Sequence, residues 1–175
     1  LEVLGDTPAA RLEGPKALTP QGLRNLEAFT RALNYVRFFQ PSDEGARADW
    51  ARLASEGVRA VEGAASTPQL AQRLQTFFAP YAPSAQFLIA DQKPRVPAPP
   101  PDAALAVRWS HIGFGQNQSQ PTYRSTREFI PLAERAAKGW ADPQAATTLK
   151  LSSEVRLWLP SVAYADADRK TLPKA

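Results

Sequence analysis

The dipeptide Thr-Pro occurs at Thr19-Pro20 and again at Thr67-Pro68, and each copy precedes an apolar run with helical spacing. Threonine is a favoured N-cap residue, and proline fits the first helical position because its missing N–H would have no partner there. The two copies therefore predict that helices begin at these points, which commits the first half of the chain to helical structure.

The first predicted helix starts at Pro20 and ends before Gln40-Pro41, because a residue that precedes proline is pushed out of the helical region. Apolar residues recur along it every three or four positions, as on one face of an amphipathic helix. The residues expected to face a core are Leu23, Leu26, Phe29, Leu33 and Val36.

Two further helices are predicted before residue 84. A polar turn, SDEGARAD, leads to a helix that Asp49 caps, and the third helix begins with the second Thr-Pro and stops at Pro80. Their expected core residues are Trp50, Leu53, Val58 and Val61 in the second and Leu70, Leu74, Phe77 and Phe78 in the third. Short connections between three helices predict a helical unit over residues 18–83, after an extended lead-in over residues 1–17.

The second half reads as strands. The segments AQFLIA and ALAVRWS are short apolar runs on either side of a proline-rich spacer, PRVPAPPP, and PTYRSTREFIPL alternates in the manner of a strand. The segment LAERAAKGWADP is predicted as a short helical turn or a loop, and TTLKLSSEVRLWLPSVAYAD as one or two strands. The expected fold is α+β: an N-terminal three-helix unit followed by an antiparallel β-rich part over residues 84–175, which could also form one composite domain with the helices.

Composition excludes several kinds of site. The chain has no cysteine and one histidine, which rules out disulfides, thiolate zinc sites, a cysteine nucleophile and a multi-histidine metal site. No cofactor or metal is expected. The net charge is +4, but the basic residues are scattered, so no nucleic-acid partner is expected. No apolar run approaches the roughly 18 residues of a membrane span.

Four aromatic residues surround the end of the first predicted helix: Tyr35, Phe38, Phe39 and Trp50. They could line a ligand pocket, or they could form the corner where the first two helices pack. We expect the packing corner, because aromatic side chains bury large areas and dominate small cores.

The segment RWSHIGFGQNQ contains the only histidine, His111, next to Ser110. A serine beside a histidine raises the possibility of nucleophilic catalysis. Neighbouring residues on a strand point to opposite faces, however, so we do not expect these two side chains to form a catalytic pair. Gly113 and Gly115 are predicted turn or bulge residues, and GFGQNQ lacks the third glycine of a nucleotide-binding loop.

The remaining polar candidates have ordinary explanations. Asp43 and Glu44 are predicted turn residues, and Asp166 and Asp168, beside Lys170, form a solvated turn more readily than a cation site. Asn117 begins a glycosylation sequon, which has meaning only in a eukaryotic secretory pathway. The strand from Tyr123 to Arg127 could be an exposed binding edge, although a half-buried strand with ordinary surface arginines is the default expectation.

Four motifs occur in a set order along the chain. The first is an apolar helix that ends in two aromatics and a proline, followed by Asp-Trp; its residues are Phe38, Phe39, Pro41, Ser42, Asp49 and Trp50. The second consists of Trp109, His111, Gly113 and Gly115, the third of Tyr123, Ser125 and Arg127, and the fourth is the segment VRLWLPSVAYADADRKTLP. Together these motifs resemble the N-terminal region of large secreted bacterial relatives of the tail-specific (C-terminal-processing) serine peptidases. Gln40 departs from the family's first motif, because a histidine is common there.

The resemblance implies that this chain is a non-catalytic N-terminal accessory region, because the family's nucleophile lies in a later domain. It implies an exported bacterial protein whose partners are the C-terminal peptidase domain of the same chain and a peptide substrate. The chain starts at Leu1 and has no methionine, as expected for a mature or excised piece. The candidate ligand or interdomain surface is Trp109, His111, Tyr123 and Arg127.

Two other functions stay open. One is a stand-alone peptide- or glycan-binding module with a groove of Trp109, His111 and Arg127. The other is an enzyme in its own right, which would need a carboxylate or tyrosine that converges on His111 from a distant segment. The sequence shows no sign of such a residue.

Overall fold

The computed structural model describes residues 17–113 and 123–173. The helices within these ranges are α1 (Pro20–Phe39), α2 (Asp43–Arg47), α3 (Trp50–Val61) and α4 (Thr67–Phe78). The strands are β1 (Gln86–Ile89), β2 (Leu105–Ile112), β3 (Arg124–Pro131), β4 (Thr147–Lys150), β5 (Val155–Leu159), β6 (Val162–Ala165) and β7 (Thr171–Leu172). Both sheets are antiparallel, so the predicted α+β class is confirmed.

The helix starts follow the predicted capping chemistry with one correction. Thr19 Oγ1 accepts the N–H of Gly22 at 2.9 Å, and Asp49 Oδ1 accepts the N–H of Arg52 at 3.0 Å. The cap of α4 is Ser66 instead of Thr67, because Thr67 occupies the first helical position and proline the second. The polar turn after α1 also contains a helical turn of its own, α2, whose N-cap is Ser42.

The main hydrophobic core joins the helices to the smaller sheet, whose strand order is β1-β5-β4. Phe29 of α1 packs against Phe78 of α4, and Phe78 stacks on Phe87 of β1 with ring centroids 5.6 Å apart. Leu151, Val155 and Leu157 complete this core from the end of the chain. The core therefore crosses residue 83, where the sequence suggested a boundary.

The buried face of α1 is rotated from the predicted one. Leu23 is 51% exposed, while Asn25, Ala28 and Ala32 are fully buried. The helices α1 and α3 approach closely where Phe29 packs on Gly57: a Cβ at Gly57 would lie 2.0 Å from the ring of Phe29. On α3 the prediction that Val58 faces the core is also wrong, because Val58 is 38% exposed.

The larger sheet has the strand order β3-β2-β6-β7 and carries two small apolar clusters of its own. The last predicted strand segment contains three strands, β4, β5 and β6, instead of one or two, and β7 follows them. Pro160 and Ser161 join β5 to β6 and so carry the chain from one sheet to the other. Nowhere in the described ranges is a helix long and apolar enough to cross a membrane.

Candidate functional site

The C-terminal end of α1 is held by three side chains of the larger sheet, which we call the helix clamp: Trp109, His111 and Arg127. Each donates a hydrogen bond to a backbone carbonyl just where the helix ends. Trp109 Nε1 lies 2.9 Å from the oxygen of Gln40, and His111 Nε2 lies 2.7 Å from that of Phe38. Arg127 Nη1 lies 3.2 Å from the oxygen of Pro41. The clamp thus binds carbonyls that the helix itself leaves without a partner.

The register of β2 and β3 explains why these side chains meet. Trp109 is directly opposite Arg127, and His111 is directly opposite Ser125. Alternate residues of a strand share a face, so all four side chains lie on one side of the sheet. That side faces the end of α1.

The environment of His111 defines its tautomer. A carbonyl can only accept a hydrogen bond, so the contact with Phe38 requires the proton on Nε2. Nδ1 lies 2.9 Å from the hydroxyl of Ser125 and 2.8 Å from that of Tyr123. In a neutral imidazole Nδ1 is therefore an acceptor that two hydroxyls can reach. Ser110 is not its partner, in agreement with the expectation that neighbours on a strand point apart.

Arg127 also forms the most buried ion pair of the described residues. Its Nη1 lies 2.6 Å from Asp43 Oδ1, with side-chain exposures of 22% for the arginine and 10% for the aspartate. Asp43 exchanges two hydrogen bonds with Thr171, each 3.0 Å long: its own N–H donates to the threonine hydroxyl, and its carboxylate accepts the threonine N–H. The predicted roles of Asp43 as a turn residue and of Arg127 as an ordinary surface arginine are therefore wrong.

The pKa of Asp43 is lowered below its ordinary value of 3.8. Burial raises the pKa of this carboxyl, but the opposing contributions outweigh burial. They are the hydrogen bonds from Arg127 and from the N–H of Thr171 and the positive charges of Arg127 and Lys170. Asp43 is therefore a carboxylate at neutral pH, as a buried ion pair requires.

Beside the clamp lies a hollow of about 190 Å³, which we call the aromatic hollow. Its walls are formed largely by rings, and it opens to solvent. The residues that line it are Arg37, Phe38, Gly45, Ala46, Trp50, Trp109, His111, Tyr123 and Ser125. Arg127 does not line it, because its guanidinium is turned toward Asp43 and Pro41.

The four aromatics at the end of α1 have different roles. Tyr35 and Trp50 pack against the main core, and the indole N–H of Trp50 donates to the carbonyl of Gly45 at 3.0 Å. Phe38 instead packs edge-on against His111 and Tyr123, and Phe39 is 46% exposed beside His111. The predicted packing corner is confirmed for Tyr35 and Trp50 and is wrong for Phe38 and Phe39.

The four residues named from the sequence as a candidate surface, Trp109, His111, Tyr123 and Arg127, are brought together by the fold. The hydroxyl of Tyr123 lies 2.8 Å from His111 Nδ1, a direct contact that sequence reasoning did not specify although it named both residues. Sequence reasoning also missed the partners Asp43 and Thr171 and the acceptor carbonyls of residues 38, 40 and 41. The alternation of the two strands was a signal that could have placed His111 with Trp109, and Ser125 with Arg127, on one face each.

Other candidates have simple structural roles or lie outside the described residues. Asp166 Oδ1 accepts the N–H groups of Asp168 and Lys170, so this carboxylate closes a turn. In the ranges that the structure describes, no three His, Asp or Glu residues are grouped as metal ligands would be. Gly113 has a φ of 108°, which suits glycine. Gly115, Asn117 and the predicted lead-in up to residue 16 lie outside the described residues.

The comparisons with known proteins found no matching family model, no matching curated protein and no matching solved structure.

Proposed function

We propose that this chain is a non-catalytic N-terminal accessory region of an exported bacterial serine peptidase. The observation that carries the proposal is the convergence of the motifs that resemble that family. The Phe-Phe-x-Pro-Ser segment, the Trp-x-His segment, the Tyr-x-Ser-x-Arg strand and Thr171 near the chain end meet at the helix clamp. Residues that meet in this way support one another, so the motifs describe a single structural unit.

The contacts of the clamp favour a structural role over a catalytic one. His111 donates through Nε2 to a backbone carbonyl, and two hydroxyls compete for the single lone pair on Nδ1. A nucleophile–base pair needs a hydrogen bond between the nucleophile and the base with which no other group competes. It also needs hydrogen-bond donors that stabilise the developing oxyanion. The accessory role is to position substrate, to shield the catalytic cleft or to mediate assembly with the peptidase domain.

The first test is the reading frame on both sides of this chain. We expect a peptidase domain with its own nucleophilic serine to be encoded C-terminal to Ala175. Binding of that separately produced domain to this chain, measured by calorimetry, is then expected to weaken when the clamp is disrupted by Arg127→Met. A reading frame with no peptidase domain would overturn the proposal.

The second test concerns the absence of catalysis. The chain is incubated with a fluorophosphonate probe, which labels activated serines, and with a fluorogenic protein substrate. We expect neither labelling nor hydrolysis above the level of the Ser125→Ala variant, which is the matched control. Labelling that disappears in Ser125→Ala and His111→Ala would identify an active serine and contradict a non-catalytic role.

The aromatic hollow favours a second candidate, a stand-alone peptide- or glycan-binding module. The groove expected from the sequence used Trp109, His111 and Arg127, but the ion pair with Asp43 removes Arg127 from it. The available cation is Arg37, which lines the hollow. A reading frame without a peptidase domain, together with ligand binding at the hollow, would favour this candidate.

A further inference from the structure

We infer that the aromatic hollow binds one aromatic side chain of a peptide that carries a carboxylate next to that ring. The inference rests on the proposed function in taking a peptide as the source of the ligand. Its three supports are the size of the hollow, the chemistry of its walls and the charge beside it.

Size limits the ligand to a single side chain. Pockets for drug-sized ligands and cofactors commonly measure about 300–1,000 Å³. The aromatic hollow measures about 190 Å³ and opens to solvent, so it is too small for a cofactor. An extended peptide that runs across the opening can insert one ring.

The walls suit a ring. Phe38 of α1, Trp50 of α3, Trp109 of β2 and Tyr123, just before β3, present aromatic surfaces from four parts of the chain. Aromatic groups pack favourably edge-to-face or offset, beyond what the burial of their area alone provides. The helix clamp keeps Trp109 and His111 in fixed orientations through their bonds to the end of α1. A ring that enters therefore meets walls that are already ordered, which lowers the entropic cost of binding.

The charge beside the hollow favours a ligand with a carboxylate. Among the described residues that line the hollow there is no carboxylate, whereas Arg37 is a full positive charge. Its guanidinium lies 5.0 Å from the ring centroid of Phe38 and is exposed. Within the described part of the chain, Arg37 forms no ion pair or hydrogen bond through its side chain, unlike Arg127. A carboxylate adjacent to the inserted ring could pair with it.

The experiment is a fluorescence titration, because Trp50 and Trp109 line the hollow and report directly on its occupancy. The probe is N-acetyl-Phe-Asp-amide, compared with N-acetyl-Phe-Asn-amide, which lacks the charge, and N-acetyl-Ala-Asp-amide, which lacks the ring. We expect the Asn probe to bind roughly three- to tenfold more weakly than the Asp probe. The Ala probe is expected to cause no saturable change. N-acetyl-phenylalanine tests whether a terminal carboxylate serves as well as a side-chain carboxylate.

Variants connect the binding to the site. Arg37→Gln is expected to abolish the preference for Asp over Asn while it changes the thermal unfolding midpoint little, because among the described residues this exposed side chain loses only its contact with the ring of Phe38. Arg24→Gln, an exposed arginine at the other end of α1, is the matched control and should keep the preference. The inference is overturned if no probe saturates at millimolar concentration, or if Arg37→Gln binds all probes as the wild type does.

The result of the titration does not depend on whether the proposed function is correct. The titration uses this chain alone, so binding is observable whether or not a peptidase domain is encoded beside it. A negative titration with a positive reading-frame test removes the inference and leaves the accessory role. A positive titration with a negative reading-frame test leaves a peptide-binding module.

Discussion

The middle of α1 and its C-terminal end are held in different ways. In the middle, Phe29 packs against Phe77 and Phe78 with ring centroids 5.6 and 5.9 Å apart, and the contacts are apolar. At the end, the backbone carbonyls of three residues accept hydrogen bonds from the helix clamp. Apolar packing tolerates small shifts at modest cost, whereas hydrogen bonds weaken steeply with misalignment. The difference teaches that the core stabilises the helix and the clamp sets where its end lies relative to the larger sheet.

The largest expected effect is in the apolar region. Phe29→Ala should lower the free energy of unfolding by about 3–5 kcal/mol, because it leaves a cavity among buried rings. Urea unfolding followed by circular dichroism measures this loss. Phe39→Ala, on the same helix but 46% exposed, should cost less than about 1 kcal/mol. Equal losses in the two variants would mean that the end of the helix is as buried as its middle.

The next effect is in the ion pair of the clamp. Arg127→Met should lower the free energy of unfolding by about 3 kcal/mol, because it leaves Asp43 buried without its charge partner. The control is Arg124→Met, an exposed arginine on the same strand, which should change stability by less than about 0.5 kcal/mol. Equal stability of the two variants would show that the ion pair between Arg127 and Asp43 does not stabilise the folded chain.

A smaller effect is expected from a single neutral hydrogen bond. Trp109→Phe keeps most of the ring but removes the donor to the carbonyl of Gln40, at a cost of about 1 kcal/mol. When it is combined with Phe29→Leu, the two losses should add to within about 0.5 kcal/mol, because the sites are separate. Strong non-additivity in this double-mutant cycle would contradict the division of α1 into two independently held regions.

The smallest expected effect is a dependence on pH. The lowered pKa of Asp43 means that the folded chain keeps this carboxylate ionised where the unfolded chain already binds a proton. Its contribution to stability is complete above the ordinary value of 3.8 and is lost as the pH falls below that value through the folded-state pKa. Asp43→Asn should therefore show a shallower loss of stability than the wild type as the pH falls from about 4 to about 2. If the stability of Asp43→Asn and of the wild type falls in parallel as the pH is lowered, Asp43 does not contribute to the loss of stability in acid.

The helices around the main core and the helix clamp also differ in how far the sequence predicts them. The helix limits follow from local chemistry, since Thr19 and Asp49 cap helices and Pro41 ends one, and each signal acts within a few residues. The buried face of α1 was harder to predict, because it depends on how closely α3 approaches. Gly57 on α3 leaves room for the ring of Phe29, because a Cβ at Gly57 would lie 2.0 Å from that ring, and Leu23 is left 51% exposed.

The clamp could be predicted only in part. Alternation along β2 and β3 predicts that Trp109 and His111 share a face, and likewise Ser125 and Arg127. The structure brings all four together. Their acceptors are backbone carbonyls about 70 to 90 positions away, and every residue has a carbonyl, so sequence carries no sign of which ones are used. Asp43 was missed for a related reason: its local surroundings are those of a turn, and only the distant partners Arg127 and Thr171 bury it.

The reciprocal hydrogen bonds between Asp43 and Thr171 also restrict the order in which the chain can fold. They join residues that are 128 positions apart, whereas His111 and Ser125 are 14 apart. Closing the longer loop costs about 2 kcal/mol more in chain entropy than closing the shorter one. The hairpin of β2 and β3 can therefore form early from local contacts. The bond to β7 is favourable only after the core has already drawn the two halves of the chain together, so Thr171 is expected to be among the last residues to reach its native position.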